Sequence, residues 1–257
     1  MFKGITRWAL MIAIAGAMVA PAILHAQASS QKTVRISILG DSIDADEPPA
    51  RPIQGWGTYL QSKLANAQVT NLALSGRSTK TFLLGDMDKE GKERGLPKNW
   101  IKAQATPADY WIIKFGGNDS HPATQDKHTD PDTDYTANLK TMIVTARKLG
   151  IQPILVTPPD RPKWKVTPTA NEAYSIEPYA KAMRRLAKEE NVPLIEMFDY
   201  SHELYTSLGP NLKNYVPPEL GGHLNRDGAN MVAQWMAGQL VKIVPQLKLA
   251  AAPEVTK

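Results

Sequence analysis

The amino-acid sequence predicts one α/β domain in which a five-stranded parallel sheet carries helices on both faces. Two observations predict this class. Short apolar runs, several of them rich in β-branched residues, alternate with segments whose apolar residues recur at helical spacing. The alternation repeats five times, which is typical of parallel strands joined by right-handed crossovers. The carboxyl ends of all five strands should then open on one edge of the sheet.

Five segments are predicted to be buried strands because each is a short apolar run bounded by turn residues. The first reads V-R-I-S-I-L and stops at Gly40. The third reads Y-W-I-I-K-F and stops at two glycines. The predicted strands cover residues 34–39, 69–74, 110–115, 151–157 and 192–198.

Helices are predicted where apolar residues recur every three or four positions. The helix over 135–149 is followed by Gly150, a typical C-terminal stop. Residues 79–108 form a long charged connection with one short helix over 99–104, and a connection of this length usually carries function or covers a site. The other predicted helices cover residues 57–66, 176–191 and 227–244.

The first 28 residues carry the pattern of a secretory signal peptide. Lys3 and Arg7 precede an apolar run over 9–24, and Ala26-Gln27-Ala28 has the small-x-small form of a cleavage site. We therefore expect residues 29–257 to form the exported domain, in the periplasm or the medium. An uncleaved membrane anchor is the alternative.

Composition excludes several classes of function. The chain has no cysteine, so it has neither disulfides nor a thiol nucleophile. Its net charge of +5 is mild and not clustered, which does not suggest a nucleic-acid partner. No stretch beyond the first 28 residues is apolar enough to cross a bilayer. We expect a monomer.

Ser42 is the candidate nucleophile. It follows Gly40-Asp41 at the carboxyl end of the first strand, where α/β folds place their ligand crevice. An ordinary helix N-cap is the alternative interpretation. Acyl transfer also needs donors for an oxyanion. The candidates are the backbone N–H groups of Ser42 and Gly76 and the side-chain amide of Asn118, which follow the first three strands.

A serine nucleophile needs a general base, and histidine is the usual one. His223 follows Gly221-Gly222 just before the last helix, on a loop that could reach the edge of the first strand. His121, three residues after Asn118, is the alternative base. The residues alone favour His223 but leave both open.

These blocks resemble the SGNH (GDSL) hydrolase superfamily. Gly40-Asp41-Ser42, Gly76, residues 116–119 (G-G-N-D) and His223 stand in the order of that family. The resemblance implies a three-layer, flavodoxin-like fold and a reaction without metal or organic cofactor. It also implies that Ser42 is the nucleophile, His223 the base, and Ser42, Gly76 and Asn118 the oxyanion hole.

Within the superfamily the chain most resembles rhamnogalacturonan acetylesterases. The supporting stretches are residues 55–57 (G-W-G), 71–78 (N-L-A-L-S-G-R-S), 115–119 (F-G-G-N-D) and 223–225 (H-L-N). The resemblance implies removal of acetyl groups from a pectic polysaccharide. Two other functions stay open: hydrolysis of a lipid or other ester, and carbohydrate binding by a homologue that has lost efficient turnover.

The chain departs from the family at one position. The family usually carries Asp three residues before the histidine, where it orients the imidazole. Here that position is Leu220, and Glu219 lies one residue further back. Glu219 is the candidate orienter. A backbone carbonyl, or no orienter at all, is the alternative.

Two further positions belong to the predicted edge. Asp119 is expected to brace the Asn118 turn rather than to take part in chemistry. A basic loop over 161–165 follows the fourth strand, and its Trp164 could stack on a sugar while the cations meet carboxylates of galacturonate. A buried Trp164 that anchors the loop is the alternative.

Overall fold

A computed structural model describes residues 32–85, 97–122, 126–162 and 175–251. The proposed signal peptide and Trp164 lie outside the described residues. Within these four ranges, no helix combines the length and the apolar character needed to span a bilayer.

The predicted five-stranded parallel sheet is confirmed. The strands stand in the order β2-β1-β3-β4-β5, and every neighbouring pair is parallel. The order reverses between β1 and β3, and ligands of such sheets bind beyond the strand ends at this switch point. The strands are β1 (Val34–Leu39), β2 (Ala67–Asn71), β3 (Tyr110–Ile113), β4 (Gln152–Val156) and β5 (Leu194–Ile195).

Helices cover both faces because the strands alternate apolar side chains between two cores. Ile36 and Ile38 of β1 belong to one cluster and Leu39 to the other. The first cluster contains α1 (Gly57–Lys63), α6 (Met197–Leu208) and α7 (Arg226–Ile243). The second contains α2 (Thr79–Leu84), α3 (Lys98–Ala105), α4 (Asp134–Lys148) and α5 (Glu177–Glu189).

The main departures from the prediction concern β5, α1 and α2. The fifth strand has two residues rather than seven, because Met197 starts α6. A short apolar run suits a buried strand or a buried helical turn equally well. Helix α1 ends at Lys63, since Leu64 is extended and pairs with Leu249. Helix α2 was missed, although Ser78 and Thr81 cap its start reciprocally.

Candidate active site

Ser42 lies on a tight turn directly beyond β1, here called the Ser42 turn (residues 41–45). The backbone N–H groups of Asp44 and Ala45 donate to the carbonyl of Asp41 at 3.1 and 3.0 Å. The side chain of Asp41 accepts from the backbone N–H of Ile43 at 3.0 Å. Ser42 itself is half-buried, so its hydroxyl is held in place yet reaches the surface.

His223 reaches Ser42 from a distant part of the chain. Its Nε2 lies 2.8 Å from Ser42 Oγ. The approach depends on Gly221 and Gly222, which both have positive φ, at 60° and 89°, where L side chains are strained. These glycines follow a short 3-10 helix (Pro218–Leu220) and turn the chain towards the sheet edge.

The partner of the other ring nitrogen fixes the tautomer of His223. Nδ1 lies 2.8 Å from the carbonyl oxygen of Leu220. A carbonyl can only accept, so Nδ1 carries the hydrogen and Nε2 of the neutral ring is the acceptor. The hydroxyl of Ser42 therefore donates to Nε2, which is the arrangement a general base requires.

The expected contact between Glu219 and His223 is replaced by this carbonyl. Glu219 is exposed on the wall of the cleft, while the carbonyl of Leu220 also accepts the backbone N–H of His223 at 3.1 Å. One backbone oxygen thus holds both the ring and the main chain of the histidine. The side chain of Leu220 cannot orient an imidazole, but its backbone can.

Glu219→Gln should therefore change kcat for a small acetyl ester by less than about threefold, since neutralising an exposed carboxylate removes no hydrogen bond from the ring. Steady-state kinetics on the two proteins would check this. A loss of about tenfold or more would restore Glu219 as the group that stabilises the imidazolium.

The donor side of the site is built on the loops after β2 and β3. Asn118 Nδ2 donates to the carbonyl of Arg77 at 2.9 Å, which ties Asn118 to the residue after Gly76. An amide group has two hydrogens, so one stays available to a substrate. In the described part of the chain, the backbone N–H groups of Ser42 and Gly76 donate to no protein acceptor. Among the described residues, each of these three groups thus keeps one N–H hydrogen available, and their joint role as an oxyanion hole stays a prediction.

His121, the alternative base, also lies on the wall of the cleft. Its backbone N–H donates to the carbonyl of Asn118 at 3.3 Å, which places it on the donor side of the site. The hydroxyl of Ser42 is hydrogen-bonded to Nε2 of His223 instead. The geometry therefore favours His223.

Asp119 is completely buried and braces the turn that carries Asn118. Its carboxylate accepts from the backbone N–H and the hydroxyl of Thr79, at 3.0 and 2.5 Å, and from the hydroxyl of Thr129 at 2.9 Å. Burial raises the pKa of Asp119 to about 6, although these hydrogen bonds act in the opposite direction. The predicted bracing role agrees with this geometry.

The raised pKa of Asp119 gives an expected pH dependence of stability. Its contribution is fully present below about pH 4, the unfolded value, and is lost as the pH rises through 6. Between pH 4 and pH 6 this group should lower the unfolding free energy of the parent protein by about 2 kcal/mol, and Asp119→Asn should abolish that part of the decrease. Urea denaturation across the range would measure it. The exposed Glu203→Gln should leave the fall unchanged, and an equal fall in Asp119→Asn would refute the assignment.

The cleft above the strand ends has a volume of about 800 Å³. Ser42, Asn118 and His223 lie on its floor and walls together with Arg161 from the loop after β4. Arg161 Nη2 donates to the carbonyl of Gly117 and to the hydroxyl of Ser120, both at 3.2 Å. The predicted basic loop thus contributes at least one cation to the wall of the cleft.

Comparison with known proteins places these residues in a family context. The profile of the GDSL-like lipase/acylhydrolase family matches residues 38–231, a span that includes both Ser42 and His223. A probable rhamnogalacturonan acetylesterase of Bacillus subtilis, YesY, is 31% identical over 208 residues, which are 79% of this chain and 90% of that protein.

A second Bacillus subtilis relative is the rhamnogalacturonan acetylesterase RhgT. It is 30% identical over 182 residues, which are 70% of this chain and 72% of that protein. Among solved structures, the acetylxylan esterase Axe2 of Geobacillus stearothermophilus superposes with a TM-score of 0.60. That match covers 82% of this chain and 95% of Axe2 at 18% identity, which shows a shared fold.

Proposed function

The chain belongs to the GDSL-like lipase/acylhydrolase family, and on this premise we propose that it is an exported serine esterase that removes acetyl groups from a pectic polysaccharide. One observation carries the proposal: Ser42 Oγ lies 2.8 Å from His223 Nε2 in a cleft that also presents Asn118. Ser42 and His223 lie 181 positions apart in the sequence, and the fold brings their loops together at the edge of the sheet.

Ser42 would form the acyl-enzyme. Its oxygen attacks the acetyl carbonyl carbon while His223 Nε2 takes the hydroxyl proton. The negative charge on the carbonyl oxygen meets the N–H groups of Ser42 and Gly76 and the amide of Asn118. His223 then returns its proton to the departing sugar oxygen, and the tetrahedral intermediate collapses to acetyl-Ser42.

Water would complete the cycle. His223 takes a proton from a water molecule as that water attacks the acetyl carbon. The bond between this carbon and Ser42 Oγ then breaks, His223 returns the proton to Oγ, and acetate leaves. In both halves the imidazolium donates through Nδ1 to the Leu220 carbonyl, a neutral dipole. The Leu220 carbonyl stabilises the imidazolium less than a carboxylate would. We therefore expect the oxyanion donors to supply a larger share of the transition-state stabilisation.

Two features support an acidic, acetylated sugar polymer as substrate. Two of the relatives are named for rhamnogalacturonan. The cleft is also open and carries Arg161, whose guanidinium suits a uronate carboxylate. A neutral acetylated xylan, a lipid ester, and slow turnover by a protein that mainly binds carbohydrate are the alternatives.

Acetate release from acetylated rhamnogalacturonan, acetylated xylan and a long-chain ester would test the substrate class. We expect kcat/KM to be highest on rhamnogalacturonan oligomers. Higher kcat/KM on the xylan or the long-chain ester would overturn the substrate, and binding without acetate release from any ester would overturn the enzyme assignment. Export is tested separately, because the processed protein should begin at residue 29.

Arg161→Met should separate acidic from neutral substrates. Loss of a charge-assisted contact is expected to raise KM for an acidic oligomer about tenfold, with a much smaller change for acetylated xylo-oligomers. Arg35→Met removes a cation beside Asp109 at the other end of β1 and serves as the control. An equal change on both substrates would show that Arg161 only supports the loop.

A further inference from the structure

Lys114 is a fully buried cation directly behind the Ser42 turn. It follows the last residue of β3, and its side chain is 0% exposed. Nζ lies 2.5 Å from Asp41 Oδ1 and 3.1 Å from Asp44 Oδ2. The acyl-transfer steps above use none of these three charged groups. A buried charge without a partner is strongly unfavourable, so the three groups form one unit, here called the buried ion cluster.

The buried ion cluster clamps the chain on both sides of Ser42. Asp44 Oδ2 accepts the backbone N–H of Asp41 at 3.0 Å, and Asp41 Oδ1 accepts that of Ile43 at 3.0 Å. The lysine binds both of the carboxylates that make these contacts. The backbone conformation around the Ser42 hydroxyl is therefore set from beneath by two side chains and one cation.

The same lysine is joined to the donor side of the site. Its backbone N–H donates to the carbonyl of Leu39 at 2.9 Å, at the end of β1. From Lys114 the chain runs through Phe115 and two glycines to Asn118, whose amide is the side-chain donor. Lys114 thus connects the Ser42 turn and the strand end that leads to Asn118.

We propose that Asp44 and Lys114 are positioning residues for ester hydrolysis, which hold the hydroxyl of Ser42 in register with the oxyanion donors. The inference rests on the proposed function, because the register matters only if Ser42 attacks an ester. An error of about 1 Å in such a register can cost about 10²-fold in rate.

The surroundings of Asp44 indicate a role beyond stability. Its Oδ1 is buried and has no hydrogen-bond partner among the described residues, and burial raises its pKa to about 7. A Cβ on Gly40 would collide with Asp44 Oδ2, so the glycine leaves room for this carboxylate. Apolar side chains of similar size generally stabilise a folded protein at least as well as a buried ion pair does, so stability alone does not account for these charges.

The test compares Asp44→Ala with Asp44→Asn. Both variants leave the Lys114–Asp41 pair intact, so neither of those buried charges is stranded. Alanine removes the acceptor for the Asp41 N–H, whereas the asparagine oxygen can still accept it. We expect Asp44→Ala to lower kcat on a small acetyl ester by about tenfold or more with KM within about twofold, and Asp44→Asn to stay within about threefold of the parent.

Rates are expressed per reactive serine, counted by stoichiometric labelling with a phosphonate, so that loss of folded protein does not count as loss of rate. Asp109→Ala is the matched control, since Asp109 also accepts a backbone N–H of β1, that of Arg35 at 2.8 Å, at the far end of the strand. It should lower stability and leave kcat per serine unchanged.

Two results would overturn the inference. One is an Asp44→Ala protein whose kcat per serine stays within about twofold of the parent, and the other is an Asp44→Asn protein as slow as the alanine variant. Failure of the proposed function is distinguishable from both, because the parent protein itself would then hydrolyse no ester.

Discussion

Ser42→Ala should lower kcat for a small acetyl ester by at least about 10⁴-fold, because no acyl-enzyme can form without the hydroxyl. Among the described residues, the hydroxyl of Ser42 is hydrogen-bonded to His223 Nε2 alone, so it makes no hydrogen bond that supports the fold. We therefore expect the variant to fold as the parent does. The measurement is acetate release under saturating substrate.

Ser37→Ala is the matched control for this experiment. Ser37 lies in β1, five positions before Ser42, and its buried hydroxyl has no partner among the residues that the structure describes. Its removal costs no hydrogen bond, so kcat should stay within about twofold of the parent. Retention of full activity by Ser42→Ala would exclude Ser42 from the mechanism.

The strands and their shared edge could be predicted because buried parallel strands have a clear sequence pattern, a short apolar run that ends at turn residues. Each strand is buried on both faces of the sheet, so its residues are mostly apolar, and the chain must turn where the strand ends. The convergence of the Ser42 and His223 loops follows from the parallel arrangement, since all strand ends open on one side. A separation of 181 positions in the sequence therefore does not keep the two side chains apart.

The orienter of His223 could not be predicted from side chains. Every residue has a carbonyl, so a sequence pattern cannot indicate which one will face an imidazole. The answer depends on the positive φ of Gly221 and Gly222, which fold the histidine back over Leu220. A sequence pattern distinguishes side chains only, so it favours Glu219, the nearest carboxylate before His223, and leaves the backbone carbonyl as an alternative.

Lys114 shows a second limit. Within Y-W-I-I-K-F it reads as the polar residue of a strand, and nothing nearby in the sequence supplies a partner. Its partners, Asp41 and Asp44, lie about 70 positions earlier and meet it only once β1 and β3 pair. Buried ion pairs between strands become visible only when the order of the sheet is known.

Asn118→Ala should lower kcat by about 10²- to 10³-fold while KM changes little, because its amide is expected to bind the oxyanion more strongly than the neutral ester carbonyl. The effect should be large here for a specific reason. The ring of His223 is hydrogen-bonded to the neutral carbonyl of Leu220 and not to a carboxylate. The oxyanion donors must therefore supply more of the charge stabilisation in the transition state.

The Asn118 amide also holds the carbonyl of Arg77, so its removal could loosen the loop that carries Gly76. Asn99→Ala separates the two effects, because Asn99 Nδ2 braces the carbonyl of Leu72 in the same connection, at 2.8 Å. If loop bracing alone set the rate, both variants would lose activity to a similar extent. A kcat loss confined to Asn118→Ala assigns the effect to the oxyanion, and a loss below about threefold would remove Asn118 from that role.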